Sequence, residues 1–264
     1  MILTAGGKTD QGLVRAKNED HIYLNAKLGL VVVADGMGGH ASGETASRLV
    51  VETLRHYFQN APQAIRQYDA SFSETTNQLH EAVALANDIV YNTAQNAPEL
   101  SGMGTTIAAA LLRGNQLSFA HVGDSRIYLV RSGSIEQLTE DHSLVRQQVK
   151  QDRLTKEEAA KSAMKNILTR AVGIESDVCT DLGELTVLHD DILLLCSDGL
   201  YNMVSDKEIL NIILCAGNVH AACEILIDTA NDNGGKDNIS AIVAYLHQEK
   251  WYWSWSRFLN TFRR

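Results

Sequence analysis

The stretch "LVVVADGMGGHASGETAS", Leu30 to Ser47, joins an aliphatic run to an Asp-Gly pair and a glycine-rich segment. One Asp-Gly pair after a strand is an ordinary turn signal, and Asp35-Gly36 alone would need no other explanation. The aliphatic run has no polar residue on either face, which predicts a strand buried on both sides. The sequence therefore places a carboxylate at the end of a buried strand.

The same pattern recurs, with acidic residues at the ends of four further apolar strands. They are Asp198 in "ILLLCSDG", Asp124 in "AHVGDSR", Asp237 in "GGKDNISAIVAY", and Glu19 with Asp20 in "RAKNEDHIYL". If these strand ends converge, the carboxylates lie close together and partly out of water, where like charges repel and need compensating cations. Few lysines or arginines stand near them in the sequence. We therefore expect metal ions to neutralise the group.

The ligand chemistry indicates which metal would bind. Every candidate ligand offers oxygen, and no histidine or cysteine has a metal-binding spacing, so hard cations such as Mg²⁺ or Mn²⁺ are favoured over zinc. Glycines follow Asp35 and Asp198, and without a Cβ the backbone there can come close enough to a metal to offer a carbonyl. Three competing motifs are incomplete: "GGKT" lacks the first P-loop glycine, "GDSRI" lacks the second glycine of a nucleophile elbow, and "HEAVA" lacks the second zinc-protease histidine.

Composition limits the class of protein. The chain has 264 residues, 45% of them hydrophobic, and a formal net charge of −9, so we expect no nucleic-acid partner. The four cysteines show no CxxC spacing and are expected to be reduced core residues. The N-terminus lacks a signal-peptide core and no apolar run is long enough to span a membrane, which favours a cytoplasmic protein.

The periodicity predicts two kinds of element. Strands are expected at 2–8, 21–25, 28–34, 105–112, 116–122, 126–131, 181–188, 191–196 and 238–246, and helices at 41–60, 71–96, 206–216 and 219–231, with a charged, helix-prone stretch at 139–165. Strands that neighbour one another like hairpins, with helices in pairs, indicate antiparallel sheets covered by helices on their outer faces. Strict alternation of strand and helix is missing, which disfavours a Rossmann fold.

Seven motifs in order, "RAKNED", "VVVADGMGGH", "GMGTT", "VGDSRIYL", "LTEDHSLV", "LLLCSDGL" and "GGKDNIS", resemble those of the PPM (PP2C-type) metal-dependent protein serine/threonine phosphatases. The bacterial single-domain members are the most similar, and the resemblance covers Ile2 to Leu246. It implies an α+β fold, a four-layer α/β/β/α sandwich of two antiparallel sheets flanked by helix pairs. It also implies a catalytic domain at 1–247 with a mobile flap at about 141–165.

The resemblance implies a site with two Mg²⁺ or Mn²⁺ ions. The first would be held by Asp35, Asp198 and Asp237, the second by Glu19, Asp35 and the Gly36 carbonyl, and a third, weaker ion by Asp124 and Asp198. Two such ions lower the pKa of a bridging water, and the resulting hydroxide attacks phosphorus directly. Arg15 would clamp the phosphate with bidentate geometry. The catalytic set is thus Arg15, Asp35, Asp198 and Asp237.

The implied activity is hydrolysis of phosphoserine and phosphothreonine in proteins, opposing a cognate serine/threonine kinase, by a protein expected to be monomeric. Two alternatives stay open: a non-catalytic module of the same fold that binds phosphoproteins, and a hydrolase of small phosphoesters. One position departs from the animal members, because Met37 stands where they carry a histidine proposed as general acid. Either His40 or a metal-bound water would then protonate the leaving group.

Other polar residues are expected to have supporting roles. Asp20 would bond Arg15 or a metal-bound water, or cap a turn, and Asn238 would buttress Asp237. Ser125 and Arg126 would shape the loop that carries Asp124. The remaining candidates are Thr105 and Thr106, expected to be simple strand residues, and His121 and His142, which receive no role.

The last segment, "WYWSWSRFLNTFRR" at Trp251–Arg264, is not explained by the resemblance. It holds all three tryptophans of the chain together with several arginines. On a helix, its aromatic residues would share one stripe. Such a tail at 248–264 can fold back on the domain, bind a membrane surface or a partner, or stay disordered.

Overall fold

The structure, a computed structural model, describes residues 1–38, 42–60, 65, 68–155, 158, 162 and 164–248. Its strands are β1 Ile2–Asp10, β2 Asp20–Asn25, β3 Leu30–Met37, β4 Gly104–Thr105, β5 Ile107–Arg113, β6 Gln116–Val122, β7 Arg126–Arg131, β8 Ser134–Gln137, β9 Asp181–Thr186, β10 Ile192–Cys196 and β11 Ile239–His247. Its helices are α1 Ser42–Gln59, α2 Glu74–Asn96, α3 Leu144–Lys150, α4 Asp198–Tyr201, α5 Asp206–Cys215 and α6 Val219–Asp232, with a 3₁₀ turn at Pro98–Leu100.

Two antiparallel sheets form the centre of the fold. One has the strand order β1-β11-β10-β7-β8, and the other has the order β2-β3-β5-β6-β9 with β4 paired to β3. Helices α1 and α2 pack against the outer face of the second sheet, and α5 and α6 against the outer face of the first. The layers are therefore helix, sheet, sheet, helix.

The alternation of side chains along β3 shows how the sequence specifies these layers. Leu30, Val32 and Ala34 belong to the core shared with α1 and α2, whereas Val31 and Val33 belong to the core between the sheets. All five are fully buried. A strand with a core on each side must be apolar at every position, which explains the unbroken aliphatic run before Asp35.

Antiparallel pairing brings the acidic strand ends to one edge. In the first sheet, β10 ends where its neighbours β7 and β11 begin, because Cys196 pairs with both Arg126 and Ala241. In the second sheet, the start of β2 meets the end of β3 at the pair Asp20 and Asp35. Sheet register therefore gathers segments that are far apart in the sequence.

Three local elements differ from the sequence predictions. Strand β8 was not predicted because it is short and largely polar; it forms through a tight hairpin with Ser132 and Gly133 at φ 52° and 76°. The one-turn helix α4 was also missed. The stretch 139–165, predicted to be helix-prone, contains in its described part the helix Leu144–Lys150 and a helical residue, Glu158, and Asp152 interrupts the helical backbone at φ 53°.

The cysteines agree only in part with the expectation of a reduced, buried set. All four cysteines are free; Cys196 and Cys223 are buried, whereas Cys179 and Cys215 are exposed, so the expectation of four core cysteines is wrong for the last two. Among the described residues, the helices lack the combination of length and apolar character that crossing a membrane requires.

Candidate active site

A cavity of about 670 Å³ opens where the acidic strand ends meet. Its lining contains every residue of the predicted site, namely Arg15, Glu19, Asp35, Gly36, Asp124, Asp198 and Asp237. Both sheets contribute to it, and Asn166 and Leu168, which follow the predicted flap in the sequence, complete the wall. The structure thus brings together the seven residues that were predicted to bind metal or phosphate.

Asp35 is fixed through its backbone. Its N–H donates to Thr106 Oγ1 at 3.0 Å, and its carbonyl accepts from the Thr106 N–H at 2.9 Å and from Thr105 Oγ1 at 2.8 Å. The Thr106 hydroxyl also bonds Ser125 Oγ at 2.6 Å. Thr105 and Thr106 were expected to be simple strand residues, but their hydroxyls also hold the Asp35 backbone. Paired buried hydroxyls beside a strand end cannot be recognised from strand propensity.

Gly36 lies where the neighbouring backbone leaves no space for a side chain. A Cβ there would lie 2.2 Å from the Gly43 carbonyl oxygen and 2.6 Å from the Glu19 carbonyl oxygen. The Glu19 carboxylate is equally close to α1, because a Cβ at Gly43 would lie 2.6 Å from its Oε2. The glycines therefore allow β3, the Glu19 segment and the start of α1 to approach one another at the cavity wall.

Asp198 and Asp124 are both buried, and each residue is only 7% exposed. Asn202, one turn after Asp198 in the α4 segment, donates from Nδ2 to Asp198 Oδ2 at 3.0 Å. The Tyr201 hydroxyl donates to the Asp124 carbonyl at 3.1 Å. The missed helix α4 thus supports two of the candidate ligands, and Asn202 and Tyr201 are functional supports that the sequence analysis did not identify.

The loop that carries Asp124 is held by Arg126, as predicted. Its guanidinium makes two hydrogen bonds to Asp141, at 2.9 and 2.7 Å, and its Cζ lies 3.5 Å from the centre of the Tyr201 ring. Together with the Ser125 hydroxyl bond to Thr106, these contacts set the position of Asp124 in the cavity wall.

Asn238 connects the acidic turn before β11 to the loop after β1. Its backbone N–H donates to Asp237 Oδ1 at 2.9 Å, and its Oδ1 accepts from the Glu19 N–H at 2.8 Å. Its Nδ2 donates to the carbonyls of Gln11 and Lys17, at 2.9 and 2.8 Å. The predicted buttressing role of Asn238 is confirmed, and it extends to Glu19.

Asp20 lies behind the cavity and not in it. Its Oδ2 accepts from the hydroxyls of Ser197 and Ser240, each at 2.7 Å. The alternative in which Asp20 bonds Arg15 is wrong; Arg15 instead donates to Asp237 Oδ2 at 2.7 Å. Asp20 Oδ1 is buried without a hydrogen-bond partner in the described part of the chain.

The clustered carboxylates resist ionisation. Burial, followed by the charges of neighbouring aspartates, raises the pKa of Asp35 and that of Asp198 well above the usual range. Burial raises the pKa of Asp124 to about 6 and likewise that of Asp20 to about 6. Burial also raises the pKa of Glu19. These shifts mean that the carboxylates would lose protons readily only beside a compensating positive charge.

This donor set fits divalent cations. It consists of carboxylate and carbonyl oxygens, which hard cations prefer, and the pKa shifts show that its negative charge is not balanced by protein cations alone. Among the described residues, Asp20 Oδ1 is a buried carboxylate oxygen without a hydrogen-bond partner, and Asp20 pairs with Asp35 in the sheet. The residues present therefore suit the Mg²⁺ or Mn²⁺ that the sequence predicted.

A second cluster, formed by His121, His142 and Asp181, has potential metal-ligand atoms within 4.8 Å of one another. The Gly123 N–H donates to His142 Nδ1 at 3.1 Å, so the neutral ring carries its proton on Nε2, which lies 3.1 Å from Asp181 Oδ2. Arg170 also binds Asp181, at 2.7 Å. Both ring nitrogens of His142 are thus already engaged, whereas neither ring nitrogen of His121 has a hydrogen-bond partner among the described residues. His142 and Asp181 are therefore poor candidates for metal ligands, because each already binds another protein group.

Two predicted features fall on residues that the structure does not describe. His40, the candidate proton donor, lies outside the described residues. The segment Trp251–Arg264 also lies outside them, and of the predicted tail at 248–264 the structure describes only Gln248.

With the site defined, comparison with known proteins gives the family. The model of the family described as protein phosphatase 2C matches residues 15–244. The chain belongs to this family. The family prediction made from the seven motifs is therefore confirmed.

Its relatives in this family are serine/threonine phosphatases. The serine/threonine protein phosphatase PstP of Mycobacterium tuberculosis is 38% identical over 245 residues, which are 92% of this chain and 45% of PstP. The serine/threonine phosphatase Stp of Listeria innocua is 37% identical over 239 residues, which are 89% of this chain and 93% of Stp. The chain therefore spans about half the length of PstP and nearly all of Stp.

Solved structures of family members share the fold. A crystal structure of M. tuberculosis PstP superposes with a TM-score of 0.85 at 38% identity and covers 94% of this chain and 100% of that one. The catalytic domain of PstP in complex with two manganese ions superposes with a TM-score of 0.83 at 37% identity, covering 94% and 99%. The predicted four-layer α/β/β/α fold of the family is confirmed.

Proposed function

We propose that this chain hydrolyses phosphoserine and phosphothreonine in proteins, with divalent cations bound among its clustered carboxylates. The observation that carries the proposal is the convergence of five acidic side chains and Arg15 on one cavity. The family relatives support it, since they are serine/threonine phosphatases. The PstP structure with two manganese ions supports the metal requirement.

We propose the ligand sets that the motifs implied. Asp35, Asp198 and Asp237 hold one ion, Glu19, Asp35 and the Gly36 carbonyl hold a second, and Asp124 with Asp198 holds a third, weaker one. When bound, such ions supply positive charge and lower the pKa of water, which yields a nucleophile at neutral pH. Asp35 belongs to both of the first two sets, which is consistent with its central place in the electrostatics of the cluster.

The protein side chains then orient the substrate. The Arg15 side chain is half exposed and its guanidinium lies at the cavity, so its free N–H groups can donate to phosphate oxygens. Its contact with Asp237 holds the guanidinium in place and raises the pKa of Arg15, which therefore stays charged. Negative charge on the phosphoryl oxygens is met in the transition state by this preorganised cation.

The test is hydrolysis of a phosphothreonine peptide with Mn²⁺ by wild type and by Asp198→Asn. The control is Glu224→Gln, at an exposed residue outside the cavity lining. We expect the wild type and the control to be active and Asp198→Asn to lose at least about 100-fold in kcat/KM. Activity unchanged by Asp198→Asn would refute the proposed site. Binding of the peptide without hydrolysis would favour the non-catalytic module, and faster turnover of sugar phosphates would favour a small-phosphoester hydrolase.

Partners and location follow as further parts of the proposal. Phosphoproteins are the substrates, and a serine/threonine kinase that makes them is the opposing enzyme. The net charge of −9 argues against nucleic acid as a partner. We propose a monomeric, cytoplasmic enzyme, and contact of Trp251–Arg264 with a membrane surface or a partner stays a prediction that sedimentation with vesicles would test.

A further inference from the structure

A second cavity of about 350 Å³ lies next to the active-site cavity. The two share Met37 and Leu168 in their linings, so one continuous depression runs from the acidic cluster to the segment 170–179. A substrate chain whose phosphoresidue occupies the first cavity would therefore place a nearby side chain over the second. An extended chain advances about 3.3–3.6 Å per residue, so this side chain belongs to a close neighbour in sequence.

The wall of this second cavity is held rigidly. Asn87, 1% exposed on α2, donates from Nδ2 to the carbonyls of Glu175 and Ser176, at 3.0 and 3.3 Å. Its Oδ1 accepts from the Gly173 N–H at 2.7 Å. Gly173 itself has φ 88°, and a Cβ there would lie 2.1 Å from Val90 Cγ1. The loop is thus anchored to α2 before any ligand binds, which reduces the entropic cost of binding.

The lining of this cavity combines apolar side chains with two exposed acidic ones, and the edge that these occupy is called its mouth. Its apolar lining residues are Met37, Leu168, Ala171, Ile174 and Val178. Glu175 and Asp177 are exposed at its edge, and neither forms an ion pair within the described part of the chain. The cation in the lining, Arg170, is already paired with Asp181 at 2.7 Å. The unbalanced charge at the mouth is therefore negative.

We propose that this second cavity is a substrate subsite for an arginine or lysine side chain close to the phosphoresidue. Such a side chain lays its aliphatic stem along apolar surface and keeps its charged end in a polar environment. Here the stem would pack on Met37 and Ile174, and the cation would meet Glu175 and Asp177. The inference rests on the proposed function and names the substrates that the enzyme prefers, namely phosphoproteins with a basic residue near the phosphoserine or phosphothreonine.

The experiment uses the full chain, Mn²⁺ and phosphothreonine peptides with alanine at every flanking position. A single arginine, or a single leucine, is placed in turn at each position on either side of the phosphothreonine. We expect arginine to raise kcat/KM roughly fivefold or more at one or two neighbouring positions, and this preference to weaken at high ionic strength. Leucine at the same positions should have a smaller effect.

The double variant Glu175→Gln with Asp177→Asn should reduce the arginine preference to within about twofold and leave hydrolysis of the all-alanine peptide unchanged, because the lost attraction is a charge pair near the surface. The matched control, Glu136→Gln with Glu224→Gln, removes the same charge from exposed positions in the other half of the fold and should keep the full preference. A long-range effect of net charge would reduce the arginine preference equally in the double variant and in its control.

Three results would overturn the subsite. The first is that every arginine peptide is turned over at the same rate as the all-alanine peptide. The second is that leucine is preferred as strongly as arginine. The third is that the arginine preference survives in the double variant of Glu175 and Asp177. Each would leave the proposed function intact, since the all-alanine peptide would still be hydrolysed. Failure to hydrolyse any peptide would instead overturn the proposed function, and the subsite with it.

Discussion

Arg15 donates a hydrogen bond to Asp237 at 2.7 Å, although 222 residues separate them. The pair joins the loop after β1 to the turn before β11, at the edge of the acidic cavity. Asp237 is a proposed metal ligand and Arg15 a proposed phosphate clamp. The contact therefore links the two functions, because it places a fixed guanidinium beside the ions that the carboxylates would hold.

We predict that Arg15→Ala raises KM for a phosphothreonine peptide and lowers kcat/KM by about 10- to 100-fold, the effect of losing charge-assisted hydrogen bonds to phosphate. Arg15→Lys should recover only part of the loss, because an ammonium cannot make the bidentate contact. Lys17→Ala is the matched control, since Lys17 also lines the cavity. Steady-state kinetics with Mn²⁺ measures the effect, and a KM equal to that of wild type in Arg15→Ala would contradict it.

We predict that Asp198→Asn, besides losing activity, makes the metal-free protein more stable by about 1 kcal/mol, or roughly 2–4 °C in Tm. The physical reason is that a neutral side chain removes repulsion with Asp124 and Asp237 from a buried cluster. In EDTA the variant should therefore melt above the wild type. Adding Mn²⁺ should stabilise the wild type more than the variant, because a ligand that binds only the folded state stabilises it.

The control for this measurement is Glu224→Gln, whose Tm should match that of the wild type with and without Mn²⁺. A variant that melts below the wild type in EDTA would show that Asp198 stabilises the fold and that repulsion in the cluster is unimportant.

We predict a pH-dependent loss of stability that His121 causes. Burial, and then repulsion from His142, lowers the pKa of His121 to about 4, and neither of its ring nitrogens makes a hydrogen bond of ordinary geometry in the described chain. The unfolded chain binds a proton near the ordinary pKa of about 6.5, so the stability is complete above that pH and falls as pH drops toward 4. At pH of about 5 the loss is about 2 kcal/mol.

The variant His121→Phe keeps a ring against His142, whose ring centre lies 4.7 Å away, and removes the titrating group. Chemical denaturation at about pH 7.5 and about pH 5 should show a smaller fall in unfolding free energy for the variant than for the wild type, by about 2 kcal/mol. His189→Phe, a substitution at an exposed histidine of the described surface, should leave the wild-type difference unchanged. Equal falls in all three proteins would contradict the prediction.

We predict that Thr106→Val weakens Mn²⁺ binding and destabilises the protein by about 1–3 kcal/mol, because the buried Asp35 N–H and Ser125 hydroxyl each lose a partner. The substitution keeps the side-chain shape. Thr186→Val, at an exposed position at the end of β9, should be neutral. Calorimetric titration with Mn²⁺ and thermal melts measure the two effects, and unchanged metal affinity in Thr106→Val would mean that Asp35 needs no support from this hydroxyl.

Much of the fold can be read from local sequence. The runs that form β3, β10 and β11 are apolar at nearly every position because each strand lies between two cores, and their bounds agree with the prediction within a few residues. The helices α1 and α2 were also predictable, because each buries one face and its apolar residues therefore recur every three to four positions. Short elements such as β8 and α4 could not be predicted, because tertiary contacts and not their own composition stabilise them.

The sequence by itself determined which residue types stand at the strand ends, and hence that oxygen ligands and a guanidinium were available to the chemistry. Only the tertiary structure decided which polar groups support them: Thr106 behind Asp35, Asn202 beside Asp198, and Ser197 with Ser240 around Asp20. The reason is that a hydrogen bond depends on distance and direction between atoms, which sheet register and packing fix. A strand's pattern of burial is set locally, whereas the partner of a buried hydroxyl lies on another part of the chain.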